Sequence, residues 1–303
     1  MANERAVAGV VPPPLIKEVP GVDEGSMTAV TTDLSRSFAR AIAERKLEVP
    51  PMPATAAEVM TLCQQETTDA AKLSSVIHRD QTIASNVLRV ANSVAYAGQV
   101  PCSSLQQACS RLGLRVITDI ATAVAVRGRM FAGAGHADLL AALWKHSVLA
   151  GFFSKEIARL RRRNVEIAFL CGLLHDIGKA VLLNSAKASS GMPVDEVLGA
   201  LEEHHVVAGA LLAREWRLAD QLIEAIECHH AVERATRFQD VAMTVAYADV
   251  LAHHTAPTVL AAPLTEDQLR AHPLLAGLNL YADHVSDLLK MKDRALQLVE
   301  GMR

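Results

Sequence analysis

Gly172-Leu173-Leu174-His175-Asp176-Ile177-Gly178-Lys179 is the stretch on which the reading of this chain turns. It lies inside an apolar run from Val165 to Leu183 that includes Ile167, Ala168, Phe169, Leu170, Cys171, Ala180, Val181 and Leu182. Wound as a helix, these residues cover almost every direction around the axis, and a helix apolar all round is a buried one. His175, Asp176 and Lys179 nevertheless sit in its middle. Charged side chains are rarely buried unless paired or metal-bound. The pattern predicts a helix through the core that presents a polar cluster to an internal cavity. Lys179 follows Asp176 by three positions and His175 by four, so all three share a helical face.

A His beside an Asp offers one nitrogen and one or two oxygen donors. Such a mixture suits Fe, Mn, Zn, Co or Ni better than Ca or a thiolate-bound ion. Taken alone, the same pair reads as a buried ion pair that fixes packing, because two donors without further ligands are not a site. Further ligand types do follow. His146 lies upstream in Leu143-Trp144-Lys145-His146-Ser147, and downstream come His204-His205, His229-His230 and Ala248-Asp249. This order resembles that of the HD metal-dependent phosphohydrolase superfamily. The resemblance implies one divalent ion on His146, His175, Asp176 and Asp249, and a second, as in some branches, on His205, His229 and His230. Of the adjacent pair, His205 has the family spacing to Gly209 and Leu212, and His204 is expected to face elsewhere.

The rest of the chain reads as helix after helix. Leu34, Phe38 and Ile42 begin the spacing and Pro50, Pro51 and Pro53 stop it. Val59, Met60, Leu62 and Cys63 follow, then Leu73, Val76 and Ile77, then Ile83, Val87, Leu88 and Ala91. Ser104 and Gln107 have capping-box spacing, and Gly113 suits a helix C-cap. Asp195 and Asp220 are expected caps of the helices that carry His205 and His229. No alternating pattern bounded by turn residues predicts a strand, so the fold class is all-α, two packed helical bundles of which the second is HD-domain-like. Residues 1–30, with Val11-Pro12-Pro13-Pro14 and Pro20-Gly21, read as a disordered leader. Residues 31–130 read as an N-terminal helical half and 131–303 as the HD-like half with C-terminal helices. Gly128, Gly133 and Gly135 predict a joint between them, with a ligand cleft there. Arg159, Arg161, Arg162 and Arg163 suit a helix C-terminus, and His253 and His254 read as exposed or as complementing the dipole of another.

Several stretches of the first half resemble a narrower family. They are Leu47-Glu48-Val49-Pro50-Pro51-Met52-Pro53-Ala54-Thr55, Leu73 to Asp80, Val87-Leu88-Arg89-Val90-Ala91-Asn92-Ser93 and Gln107 to Gly113. With the second half they resemble the HDOD family, bacterial signalling proteins whose HD-related domain serves as an output module. The similarity runs from about Leu47 to about Ala256. Gln81 and Ala219 stand where that family usually has Pro; both positions concern helix starts.

Composition narrows the function. Half of the 303 residues are hydrophobic, 4% are aromatic, and the net charge is −3. No global field would draw nucleic acid, and few aromatics could stack bases. The five Cys have no CxxC spacing, which predicts free thiols in a reducing cytoplasm. The sequence predicts neither a signal peptide nor a membrane span. HD phosphodiesterases that open cyclic di-GMP carry a Gly-Tyr-Pro element after their paired His, whereas here the chain reads Ala231-Val232-Glu233-Arg234-Ala235-Thr236-Arg237-Phe238. The resemblance therefore implies a signal-transduction output module that binds a small-molecule ligand or a signalling protein without catalysis, and a homo-oligomer is compatible with this. The alternative is a metal-dependent phosphohydrolase acting on a nucleotide-like substrate, with Lys179 holding a phosphate oxygen as a point charge.

Overall fold

Helical spacing becomes helix from Asp33 onward, and the described residues contain no strand. The structure, a computed structural model, describes residues 32–302 except 64–69, 94, 95, 97, 99, 134, 135, 187–191, 258, 260 and 261. The expected leader lies outside the described residues. From Thr32 onward the chain makes one compact unit.

Helix α1 (Asp33–Ala43) leads into the Pro50–Pro53 stretch. Helices α2 (Ala54–Cys63), α3 (Ala70–His78), α4 (Gln81–Ala91), α5 (Leu105–Leu112) and α6 (Leu114–Met130) follow and pack on one another. Next come α7 (Ala137–Leu160), α8 (Val165–Leu174), α9 (Ile177–Ser185), α10 (Val194–Glu215), α11 (Asp220–Cys228) and α12 (Gln239–Thr255). The chain closes with α13 (Glu266–Arg270), α14 (Leu274–Leu278), α15 (Ala282–Lys290) and α16 (Lys292–Gly301). One buried apolar cluster runs from Leu34 to Met302 and draws on both helical groups. Helix α6 packs on α8 and α9, and α16 packs on both α4 and α7. Helix α6 continues through Gly128, which the sequence places in the joint. Among the described residues no helix is long and apolar enough to cross a membrane.

Local chemistry sets several boundaries. Ser104 caps α5 by accepting from the Gln107 N–H, and Gly113 ends that helix with φ +77°, a conformation costly to a residue with a Cβ. The Asn92 side chain, at the end of α4, donates to the Cys102 carbonyl at 2.8 Å and accepts from the Cys102 N–H at 2.7 Å, which pins the following loop. The two acidic caps expected from sequence are not caps. Pro193 precedes α10 and Ala219 precedes α11, so Asp195 and Asp220 lie inside the first turns, where a carboxylate still complements the helix dipole.

The central helix also differs from expectation. Val165 to Leu183 is not one helix: α8 ends at Leu174, His175 and Asp176 form a turn, and α9 begins at Ile177. The two glycines flanking the turn supply the reason. A Cβ on Gly172 would press on the backbone of Ala150 in α7, and a Cβ on Gly178 would collide with the His205 carbonyl in α10. The chain thus approaches α7 closely on one side of the turn and α10 closely on the other, and it changes direction between them. Both segments are buried, as their apolar circumference requires.

Candidate metal centre

The turn between α8 and α9 puts His175 and Asp176 at the meeting point of four helices. His146 arrives from α7, His205 from α10, His229 and His230 from the end of α11, and Asp249 from α12. All the metal ligands expected from sequence come together here. His146 Nε2 is 3.0 Å from Asp249 Oδ1 and 3.3 Å from His175 Nε2. His175 Nε2 lies 3.6 Å from both Asp176 Oδ2 and Asp249 Oδ1. On the other side of the Asp176 carboxylate, Oδ1 is 3.4 Å from His205 Nε2 and 3.6 Å from His229 Nε2. His205 Nε2 is in turn 3.1 Å from His230 Nε2. Asp176 therefore stands between two donor sets, one oxygen toward each.

The far side of each ring tells which nitrogen is free. A carbonyl can only accept, so Nδ1–H of His175 donates to Gly172 at 2.7 Å and Nδ1–H of His229 donates to Ile226 at 2.9 Å. His205 Nδ1–H is shared between the carbonyls of Leu201 and Glu202, both at 3.0 Å. A neutral ring that donates through Nδ1 keeps its lone pair on Nε2, the tautomer of a metal ligand. Those lone pairs point at carboxylate oxygens, acceptor against acceptor. Asp176 Oδ1, His229 Nε2 and Asp249 Oδ1 are buried with no hydrogen-bond partner. Buried polar atoms left this way cost free energy unless a cation or proton satisfies them. The donor set and its orphaned atoms fit divalent ions bound by mixed nitrogen and oxygen ligands.

The protein's own charges leave the centre incompletely compensated. Burial pushes Asp176 toward its neutral form, but Lys179 and His175 outweigh this and hold the carboxyl well below its ordinary range. Burial acts the same way on Asp249 and is outweighed by the neighbouring His146, His175 and His253. Burial disfavours the charged His175 ring, yet Asp176 and Asp249 raise its pKa. For His146 burial prevails and lowers the pKa. His230 is brought down to about 4 by burial and by the neighbouring His229. Lys179 is not a free cation. Its Nζ donates to Asp176 Oδ2 at 2.8 Å and lies 3.1 Å from Glu202 Oε2, with the side chain only 7% exposed.

Three further residues complete the picture. His204 turns away as expected, its Nε2 2.9 Å from Ser35 Oγ of α1. Glu202, not singled out in the sequence, reaches Lys179 and lies 3.4 Å from His230 Nε2. Its spacing of three from His205 puts both on one face of α10. His253 corrects the sequence reading. It lies in the last turn of α12 as expected but is not exposed: its side chain is 12% exposed and Nε2 is 3.3 Å from Asp249 Oδ1. The signal was its position one turn after Asp249.

Comparison with known proteins places this geometry in context. The HDOD domain family model matches residues 49–232. Among solved structures, an HDOD domain protein of unknown function from Geobacter sulfurreducens superposes with a TM-score of 0.71 at 22% identity, over 89% of this chain and 96% of that one. A candidate metal-dependent phosphohydrolase from Shewanella amazonensis gives a TM-score of 0.67 at 18% identity, over 89% of this chain and 98% of that one. A candidate signal transduction protein from Marinobacter aquaeolei gives 0.65 at 20% identity, over 91% of this chain and 67% of that one. At these identities the likeness is one of fold. The chain spans less than half the length of the curated relatives it matches, 44% of the one aligned over 229 residues at 25% identity.

Proposed function

The chain belongs to the HDOD family, and from that premise we propose that it is a signal-transduction output module that binds a small-molecule ligand or a protein partner without turning over a substrate. In this reading His146, His175, Asp176 and Asp249 hold one divalent ion, and Asp176, His205, His229 and His230 hold a second. The ion class is Fe, Mn, Zn, Co or Ni, as the mixed donors favour. A bound ion of this kind supplies Lewis acidity and a water of lowered pKa.

The observation that carries the non-catalytic reading is the state of Lys179. Phosphoryl chemistry needs groups free to orient the substrate and to meet charge developing in the transition state. Lys179 is the candidate phosphate contact in the motif, and it is buried and committed to Asp176 and Glu202. Drawing it away would leave two carboxylates without their cation, at a cost that a substrate phosphate would have to exceed. The absence of a Gly-Tyr-Pro element after His229-His230 points the same way. The signalling protein among the structures of similar fold agrees with this role.

The second reading is a metal-dependent phosphohydrolase acting on a nucleotide-like substrate. One observation favours it: Glu202 and His230 form an edge of the centre that is open to solvent, with side chains 56% and 43% exposed. The purified chain, loaded with Mn²⁺ or Fe²⁺, separates the two. Incubated with cyclic di-GMP and a panel of nucleotides, it is expected to release no product above a metal-only blank. Robust turnover that disappears in an Asp249→Asn variant melting like wild type would replace the module by the hydrolase.

A further inference from the structure

We infer that His253 is an additional ligand of the ion on the His146 side. This rests on the metal-centre reading above and extends it to a residue outside the expected ligand set.

His253 follows Asp249 by one turn of α12, so both side chains leave the same face of the helix. Pairs four apart on a helix can chelate a single ion, as the two His of a helical zinc motif do. The geometry here is of that kind. His253 Nε2 and His146 Nε2 both approach Asp249 Oδ1, at 3.3 and 3.0 Å. The two rings stack with centroids 4.3 Å apart and planes 31° apart. One donor atom each of His146, Asp249 and His253 lies within 4.8 Å of the others. Neighbouring ligand atoms around an ion at a typical metal–nitrogen bond of about 2.1 Å stand about 3 Å apart, close to the two nitrogen–oxygen separations.

The His253 ring engages the centre through Nε2. Its Nδ1 is buried and has no hydrogen-bond partner. Ligating and packing histidines alike ordinarily satisfy the second nitrogen, so the choice between them rests on the approach of Nε2 to Asp249. Here the polar engagement of the ring is directed at a carboxylate that His146 also approaches. His254, next in the chain, points the other way and donates from Nδ1 to the Leu264 carbonyl at 2.8 Å.

His146, Asp249 and His253 form a donor group of two nitrogens and one oxygen, and His146 is shared with the group of His175 and Asp176. In the other donor set, His230 reaches solvent.

The test is Co²⁺ titration of the apoprotein, followed by visible absorption and by elemental analysis of the ion retained after gel filtration. Wild type is compared with His253→Ala, with His253→Gln, which preserves bulk and polarity, and with His254→Ala. Melting of each apoprotein checks the fold. The expected result is a tight class of Co²⁺ in wild type and His254→Ala. Both His253 variants should weaken it by more than the roughly 10–100-fold that loss of an outer partner costs, with altered Co²⁺ bands. An unchanged tight class overturns the inference. So does weakening within that range with unaltered bands, which would make His253 a positioning residue for Asp249. A wild-type chain that takes up no Co²⁺, Mn²⁺, Fe²⁺ or Zn²⁺ overturns the centre itself, a different failure from the first two.

Discussion

Near its middle α7 delivers His146 to a group of imidazoles and carboxylates, and nine residues later it delivers Lys155 to Asp119 of α6. Both places are buried and both are ionic. Asp119 is 6% exposed and Lys155 7%, against 2% for His146 and 3% for Asp176. At the α6 end, the ammonium of Lys155 donates to Asp119 Oδ2 and neither side chain has an orphaned atom. At the His146 end, Asp176 Oδ1, Asp249 Oδ1 and His229 Nε2 are left without partners. Burial of charge therefore does not by itself mark a site. An ion pair that closes on itself is architecture, while facing acceptors with nothing between them call for a cation from outside.

The largest effect expected from breaking this contrast comes from Asp176→Ala. Asp176 faces both donor sets and is also the acidic partner of Lys179. Its removal leaves a buried ammonium with only Glu202, and breaking a buried pair costs about 3–5 kcal/mol. Stability of the apoprotein should fall by that order, and ion uptake should vanish from both sets. Chemical unfolding with elemental analysis in parallel measures the two losses. A variant that retained ions at the wild-type ratio would show that Asp176 is no more than the partner of Lys179.

Much of this contrast is legible in sequence, and the gaps have physical causes. The helices follow from spacing, because apolar residues three and four apart mark one face wherever the other face is polar. That rule fails between Val165 and Leu183, where every face is apolar and no periodicity marks a break. The only local signs are Gly172 and Gly178, and their meaning depends on Ala150 and His205, far away in the chain. Ligands flanked by apolar residues, such as His175 and Asp249, stand out because a polar residue there needs a reason. His253 does not stand out, since the end of a helix is where a histidine is common. Asp119 could not be told from a surface residue, because its cation comes from another helix 36 positions along.

The two clusters should also respond oppositely to acid, and this sharpens the comparison. Burial, opposed by Lys155, pushes the Asp119 carboxyl up from 3.8 to about 6. A carboxyl with a raised folded pKa holds its proton more tightly when folded. Its contribution is fully present below about pH 4 and is lost as pH rises through about 6, a change of about 3 kcal/mol. Asp176 and Asp249 are held low instead, so their contribution is present at neutral pH and is lost as pH falls through and below the ordinary carboxylate range. Unfolding of wild type and Asp119→Asn at pH 4.5 and 7.5 isolates the first term. The stability of wild type relative to the variant should be greater at pH 4.5. A difference that grows with pH would mean that Lys155 dominates and that Asp119 is an ordinary buried carboxylate.

The smallest effect is expected at Asn164, and it decides whether the centre's affinity for ions is a property of its ligand atoms or of the fold as a whole. Asn164 caps α8, its Oδ1 accepting from the N–H groups of Glu166 and Ile167, both at 3.0 Å. It is exposed and stands at the opposite end of the ten-residue α8 from the His175–Asp176 turn, roughly 15 Å away along the axis. Asn164→Ala removes the cap but lets water reach the freed N–H groups, so the cost is about 1 kcal/mol. In a chain of this size that lowers the Tm by about 2–4 °C. The turn, its two glycine contacts and every donor stay in place, so Co²⁺ uptake should match wild type. Uptake that fell in step with the Tm would mean that the donors are held no better than the fold at large. The orphaned atoms around Asp176 would then have lost their claim to differ in kind from the pair at Asp119.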